Sequence, residues 1–200
     1  MTGEIDAAFA GADLDIHRAV LQGKGFDIQA AGPLARRFEF NARVGDLGRL
    51  LPGTAGELQA EGWVRRQDGR WDGAASGRGV NWAAGGVRIA AAEFNARLGR
   101  AEGYPLHLTA RVRRAAYDRF RVDSATIEAD GTALRHTARA SLIAAGAEAR
   151  LSCNGSYDRG AWHGEIVRLD GRDGVGPWRL EAPAALAVSA GKVSLAPLAL

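Results

Sequence analysis

Cysteine, lysine and long apolar runs are scarce in this 200-residue sequence. With Cys153 as its only cysteine, the chain forms no intramolecular disulfide, and a chain of this length buries enough surface to fold without one. No run approaches the roughly 18 consecutive apolar residues of a membrane-spanning helix, and the first residues lack the basic and apolar character of a signal peptide. The basic residues are nearly all arginines interleaved with carboxylates, and the net charge is only +3, which argues against nucleic acid as a partner.

Residue types that carry catalytic or metal chemistry do not form a recognisable site. No nucleophile elbow, complete phosphate-binding loop or dinucleotide-binding motif is present. Cys153 occupies an apolar position of a predicted strand, which favours a small core residue over a reactive thiolate. The histidines lie far apart and lack metal-site spacing: His17, His107, His136 and His163. The sequence therefore predicts no enzyme activity, no metal site and no cofactor.

The dominant feature of the sequence is period-two alternation in short runs bounded by Gly, Asp, Asn and Pro. In Leu58–Val64 and in Leu106–Val112 the even positions carry the apolar or small residues, while polar residues dominate the odd positions. Each predicted strand thus has one apolar face. Parallel sheets covered on both faces need strands that are apolar throughout, so a doubly wound α/β fold is excluded and an all-β antiparallel sheet is predicted.

Two short segments have some helical character. Val44, Leu47 and Leu50 lie at helical spacing before Pro52-Gly53 ends the run, and residues 113–120 form the second candidate. Both are predicted as short connector helices in a β protein.

Internal similarity suggests a repeated unit. Phe38–Gly45 recurs as Ala92–Gly99 at an offset of 54, and a Gly-Glu-Ile or Gly-Glu-Leu motif begins at Gly3, Gly56 and Gly164. Such offsets predict a stacked unit of several strands that adds to a continuous sheet. No linker interrupts the chain, so residues 1–200 are predicted to form one continuous segment.

The apolar face of such a sheet must be covered by a second layer, by curling, or by a ligand. Two alternatives remain: the closed, dry core of a β-solenoid structural or adhesin domain, and an open groove for lipid. Arginines such as Arg111, Arg139 and Arg150 would then meet phosphate head groups at the groove edges. Strand alternation predicts which apolar residues line the groove: Leu58, Val64, Val87, Ile89, Leu106, Leu108, Ile127, Leu134, Leu142, Leu151, Ile166 and Leu180.

Several motifs resemble a known family in their order along the chain. The run Leu47–Leu58, which contains Leu-Pro-Gly and a Gly-x-Leu strand, is similar to a recurring element of the TamB family. Gly131-Thr132 with His136 resembles that family's GT…H strand. Trp162-His163-Gly164 and later Gly176-Pro177-Trp178 resemble its series of Trp-x-Gly and Trp-x-Leu motifs. The likeness covers about residues 40 to 200, and residues 1–40 share only strand character.

The resemblance implies a fold and a role. The fold is a β-taco, an elongated and curled antiparallel sheet with a hydrophobic concave groove. The role implied is that of an interior periplasmic segment of a long protein anchored in the inner membrane. Phospholipid acyl chains would be its ligands, and a TamA-like outer-membrane protein would bind a part of the full-length protein outside this chain during outer-membrane protein assembly. Open strand edges at both ends also predict end-to-end self-association.

Overall fold

The computed structural model describes residues 2–10, 13–101, 103–132, 134–158, 160–189 and 192–199. The only helical element in these ranges is one 3-10 turn, Leu47–Arg49. The strands are β1 Thr2–Ala10, β2 Asp13–Gly23, β3 Phe26–Pro33, β4 Phe38–Val44, β5 Thr54–Gln67, β6 Arg70–Ala84, β7 Val87–Leu98, β8 Pro105–Tyr117, β9 Phe120–Thr132, β10 Arg135–Ala144, β11 Ala147–Asp158, β12 Ala161–Arg172, β13 Pro177–Arg179, β14 Ala184–Ser189 and β15 Lys192–Leu195.

All the strands belong to one antiparallel sheet in chain order. Consecutive strands pair from β1 to β12, after which β14 pairs with β12 and β15 with β14, while β13 pairs with the other end of β12. The predicted all-β fold, an elongated and curled antiparallel sheet, is confirmed. Strands β1 and β15 form the two edges of this path. In the described ranges, no helix is long and apolar enough to cross a membrane.

Of the two predicted connectors, only the first is helical. The Asp46 side chain caps its 3-10 turn by accepting a hydrogen bond from the Gly48 N–H at 3.1 Å, and Leu47 is buried. The helix predicted over residues 113–120 is wrong. Tyr117 ends β8 and pairs with Phe120 at the start of β9, so a two-residue turn joins the strands and leaves no room for a helix.

Cross-strand register separates the side chains into two faces. Residues paired across strands share a face, as do residues two apart along one strand. One row contains Phe40, Gly62, Ala75 and Ala96, and its alternating neighbours extend an apolar face from β3 to β15. The buried apolar strand residues all lie on this apolar face: Val44, Ala129, Cys153, Ile166 and Ala184. Burial raises the pKa of the Cys153 thiol, in agreement with the predicted small core residue.

The sheet is a single layer. The chain exposes 13408 Å² of surface. A compact monomer of 21.1 kDa exposes about 9,000 Å². Among the described residues, no large side chain is fully buried. In the described part of the chain, no second sheet therefore covers the apolar face.

The repeated Phe-Asn-Ala-Arg sequence does not mark a stacked unit. Its copies lie on β4 and β7, which run in opposite directions three strands apart. Phe40 shares a row with Ala96, and Phe94 shares one with Ala42 through Gly77 and Ala60. The two copies are therefore related by a local two-fold rotation. The stacked repeat predicted from the sequence would require a translation between them.

One ion pair on the polar face is shielded from water. The Arg65 guanidinium donates to both carboxylate oxygens of Asp72, at 2.9 and 2.5 Å, and Asp72 is only 7% exposed. These hydrogen bonds hold the pKa of Asp72 below its ordinary value. The ionised carboxylate is thus favoured in the folded state.

We expect Asp72→Asn to lower the free energy of unfolding at pH 7 by about 1–2 kcal/mol. This is less than the cost of breaking a fully buried ion pair, because Arg65 is partly exposed to water. A depressed folded-state pKa stabilises the protein above the unfolded-state pKa of about 3.9, and that stability is lost as the pH falls through the lower folded value. Denaturant unfolding at pH 7 and pH 3 measures both effects. The difference in unfolding free energy between the wild type and Asp72→Asn should be smaller at pH 3 than at pH 7. The control Glu57→Gln, at an exposed site, should leave the unfolding free energy unchanged at both pH values.

Candidate functional site

The apolar face contains a concavity of about 530 Å³ over β4–β8. Side chains of the apolar face that line it include Phe40, Val64, Trp71, Leu98 and Leu106. Ligand-binding clefts in proteins typically measure about 300–1,000 Å³, so the concavity is large enough for part of a lipid acyl chain.

Small residues form the floor of this concavity. Between Trp71 and Asn81, the apolar-face positions of β6 are Gly73, Ala75, Gly77 and Gly79, so this stretch of the strand carries no side chain larger than a methyl group on that face. Ala96 continues the row from Ala75 onto β7. A short trough therefore lies over Gly73, Ala75 and Ala96, and the Phe94 ring closes it at Gly77.

Aromatic rings lie against glycines of neighbouring strands across the same face. A Cβ atom at Gly62 would lie 2.7 Å from Phe40 Cζ, and one at Gly77 would lie 2.5 Å from Phe94 Cε1. Both distances are well below the roughly 3.5–4.0 Å of a favourable carbon contact. Trp162 occupies the corresponding space at Gly155, and Trp178 does so at Gly171. The rings thus cover backbone where no second layer does.

His136 and Trp162 satisfy each other's polar atoms on the apolar face. The Trp162 Nε1–H donates to His136 Nε2 at 2.6 Å. Because indole is only a donor, Nε2 is the acceptor, and the Nδ1–H donates to the Thr132 carbonyl at 3.0 Å. The histidine of the GT…H motif is therefore a hydrogen-bonded structural residue, and it leaves the face without a free polar group at this position.

The register places most of the predicted groove residues on the apolar face. Leu180 follows β13, where its N–H donates to the Leu169 carbonyl. Leu134 lies in the turn before β10 and is 63% exposed. It is outside the strand because β10 begins at Arg135, which pairs with Thr132. The residues on the apolar face are Leu58, Val64, Leu106, Leu108, Ile127, Leu142, Leu151 and Ile166. That they line a lipid groove stays a prediction.

Val87 and Ile89 belong to a different part of the sheet. A row of backbone in the left-handed region crosses the strands at Gly56, Asn81 and Arg114, with φ of 111°, 52° and 49°. Beyond this row the half-buried positions of β7 change from even to odd, so Val87 and Ile89 are out of phase with the apolar residues at the other end of their strand. The shift of the apolar positions of β7 from even to odd numbers is visible in the sequence and could have indicated this boundary. Alternation alone does not reveal that left-handed backbone lies at the shift.

The arginines expected at the groove edges lie on the polar face. Arg111 pairs with Glu93 and Thr126, and Arg139 pairs with Glu128. Arg150 pairs with Asp170. The expectation is wrong because all three alternate with apolar residues inside their strands. His163 and Glu165 also lie on the polar face.

Comparison with family models gives a match over residues 2–197 to the model described as TamB, N-terminal domain. The match extends through the first 40 residues, where the sequence motifs did not reach. No curated protein and no solved structure matches the chain.

Proposed function

Because this chain belongs to the TamB family, we propose that it is a periplasmic segment whose apolar face carries phospholipid acyl chains between the inner and outer membranes. In this proposal the segment is a passive, non-enzymatic conduit that also supports outer-membrane protein assembly. The observation that carries the proposal is the open apolar face, which has a trough of small residues and no second layer in the described part of the chain.

The chemistry of this face suits lipid that moves. Each methylene taken from water onto an apolar surface contributes about 0.8 kcal/mol without directional bonds. The trough floor at Gly73, Ala75 and Ala96 presents only glycine and alanine, and the His136 ring nitrogens are already hydrogen-bonded. A chain can therefore shift along the face without breaking a polar contact at these positions.

The edges of the sheet support continuation of the groove beyond this segment. On β15, Val193 and Leu195 pair with Val188 and Leu186, so they lie on the apolar face, and both are exposed. The apolar face therefore reaches an unpaired edge, which favours end-to-end association of isolated segments. The proposal further includes a TamA-like outer-membrane partner that binds the full-length protein outside this chain, and it assigns no role to nucleic acid.

Lipid extraction with mass spectrometry tests the groove. We expect the purified chain to carry phospholipid, and Ile127→Glu to lower the lipid content about threefold because a charge on an apolar path is costly to desolvate. Ile127 is 44% exposed and lies between Ala110 and Ala140, so the protein should stay folded.

The matched control is Thr126→Glu, one residue away on the polar face beside Arg111. It should retain its lipid. A folded wild-type protein without lipid would favour the alternative of a closed, dry β-solenoid structural domain. An equal loss in both variants would contradict the assignment of lipid to the apolar face.

A further inference from the structure

The ends of β6–β9 form a small amphipathic sheet beyond the left-handed row at Asn81 and Arg114. We define the tip sheet as residues 82–89 and 115–122. One pair of cross-strand rows in it is apolar throughout. These rows are Ala84, Val87, Tyr117 and Phe120, and Trp82, Ile89, Ala115 and Val122.

The first of these apolar rows ends in two exposed aromatic residues. Tyr117 is 57% exposed and Phe120 is 63% exposed, and they pair directly across the two-residue turn of the β8–β9 hairpin. Strand β10 ends at Ala144 and its last pairing with β9 joins Ile143 to Ser124, so Phe120 extends past the neighbouring strand. The aromatic pair therefore protrudes from this end of the sheet.

Arginines lie next to the aromatic pair, in the β8–β9 turn and on the opposite face of the tip sheet. Arg88 and Arg121 flank Ala116 in the row between the apolar ones, and the Arg119 guanidinium lies 5.5 Å from the centre of the Phe120 ring. Residues 113–123 contain four arginines against Asp118 and Asp123. Within the described ranges, no ion pair involves any of these arginines.

We propose that the tip sheet binds the surface of an anionic phospholipid bilayer, with Tyr117 and Phe120 at the interface and Arg88, Arg119 and Arg121 toward the phosphates. Aromatic side chains prefer the membrane interface, arginine side chains bury their stems while their charges stay wet, and unpaired cations are attracted to anionic lipid. The role is separate from acyl-chain transport on the rest of the sheet and stands without it.

Vesicle flotation of the full 200-residue chain tests the proposal. We expect binding to phosphatidylcholine vesicles that contain 30% phosphatidylglycerol, and little binding to pure phosphatidylcholine or at 0.5 M salt, where the Debye length is only a few ångströms. The double variant Tyr117→Ser/Phe120→Ser should lower the partition coefficient about fivefold, since two apolar interface groups are lost. Arg119→Gln/Arg121→Gln should remove the dependence on phosphatidylglycerol.

Matched controls lie at the opposite end of the sheet. Tyr157→Ser removes a comparably exposed aromatic residue, and Arg70→Gln removes an exposed arginine. Both should bind vesicles as the wild type does. Circular dichroism of every variant checks that the fold is kept. We expect it to be kept because the substituted side chains are exposed.

Three results would overturn the proposal: a wild-type chain that ignores the anionic vesicles, tip variants that bind like the wild type, or full competition by soluble dihexanoyl phosphatidylglycerol. The last would mean that isolated lipid, and not a bilayer surface, is bound. A tip that fails on vesicles but recruits a protein would likewise contradict a lipid surface. Lipid extraction separates this site from the groove, because the tip variants should retain their extractable phospholipid and Ile127→Glu should keep its vesicle binding.

Discussion

Replacing Gly155 with valine is expected to lower the free energy of unfolding by about 3 kcal/mol, the upper part of the range for overpacking. A Cβ atom at this position would overlap Cζ2 of the Trp162 ring. The ring would have to leave the backbone of β11. It would then lose both its contact with the sheet and its hydrogen bond to His136. In a single-layer sheet no other side chain is available to cover the exposed backbone.

Denaturant unfolding of Gly155→Val beside Gly174→Ala measures this effect. Gly174 has no atom within 4 Å of an added Cβ, so its variant should unfold like the wild type. The specific cause is tested in a Trp162→Ala background, where Gly155→Val should cost far less because the ring it displaces is absent. An equal cost in both backgrounds would show that the ring is not what makes glycine necessary here.

The aromatic-over-glycine pairs explain how the sheet keeps an apolar face without a second layer. At Gly62, Gly77 and Gly171, as at Gly155, an aromatic ring fills the space that a side chain would occupy. Sheets elsewhere gain stability from a packed partner, whereas here part of that contribution comes from rings that cover backbone on the same face. The glycine and alanine positions between those rings keep the trough open.

The faces of most strands could be predicted from the sequence because alternation is a local property. Leu106 and Leu108 lie on the apolar face as their spacing indicates, and so do Leu151 and Ile166 on later strands. The register shift between Ser152 and Cys153 does not disturb this assignment, because Leu151 and Cys153 both lie on the apolar face.

Features that depend on pairing between distant residues were not predictable. Left-handed backbone at Asn81 and Arg114 lies where the apolar side chains of the strands move from one set of alternate positions to the other. Neither residue is a glycine, the residue type that would mark such a position in the sequence. The phase change separates Val87 and Ile89 from the rest of the apolar face and creates the tip sheet. The glycine partners of Phe40 and Phe94 were equally hidden, because only the register of β4–β7 brings each ring to its glycine.

Filling the trough is expected to remove nearly all bound lipid while leaving the fold intact. Ala96 lies on the apolar face between Ala75 and Leu108 and lines the concavity over β4–β8. A tryptophan there would add an apolar ring to a half-buried face that has no second layer, so Ala96→Trp should be at least as stable as the wild type. Because the ring occupies the space left by the alanine and glycine floor, extractable phospholipid should fall about tenfold, a loss of about 1.4 kcal/mol in binding free energy.

The matched control for this obstruction is Asn95→Trp, which places the same ring on the polar face one residue away. It should retain wild-type lipid content. The Ala96→Trp variant separates the effect of filling the trough from the effect of surface hydrophobicity, because the added ring narrows the trough and at the same time makes the apolar face more hydrophobic. If lipid simply adhered to exposed apolar surface, Ala96→Trp would bind more of it, and an increase would therefore refute a shaped groove. A decrease confined to Ala96→Trp requires that acyl chains lie along the small-residue floor of β6 and β7, which is the arrangement that lets one sheet both fold and hold lipid.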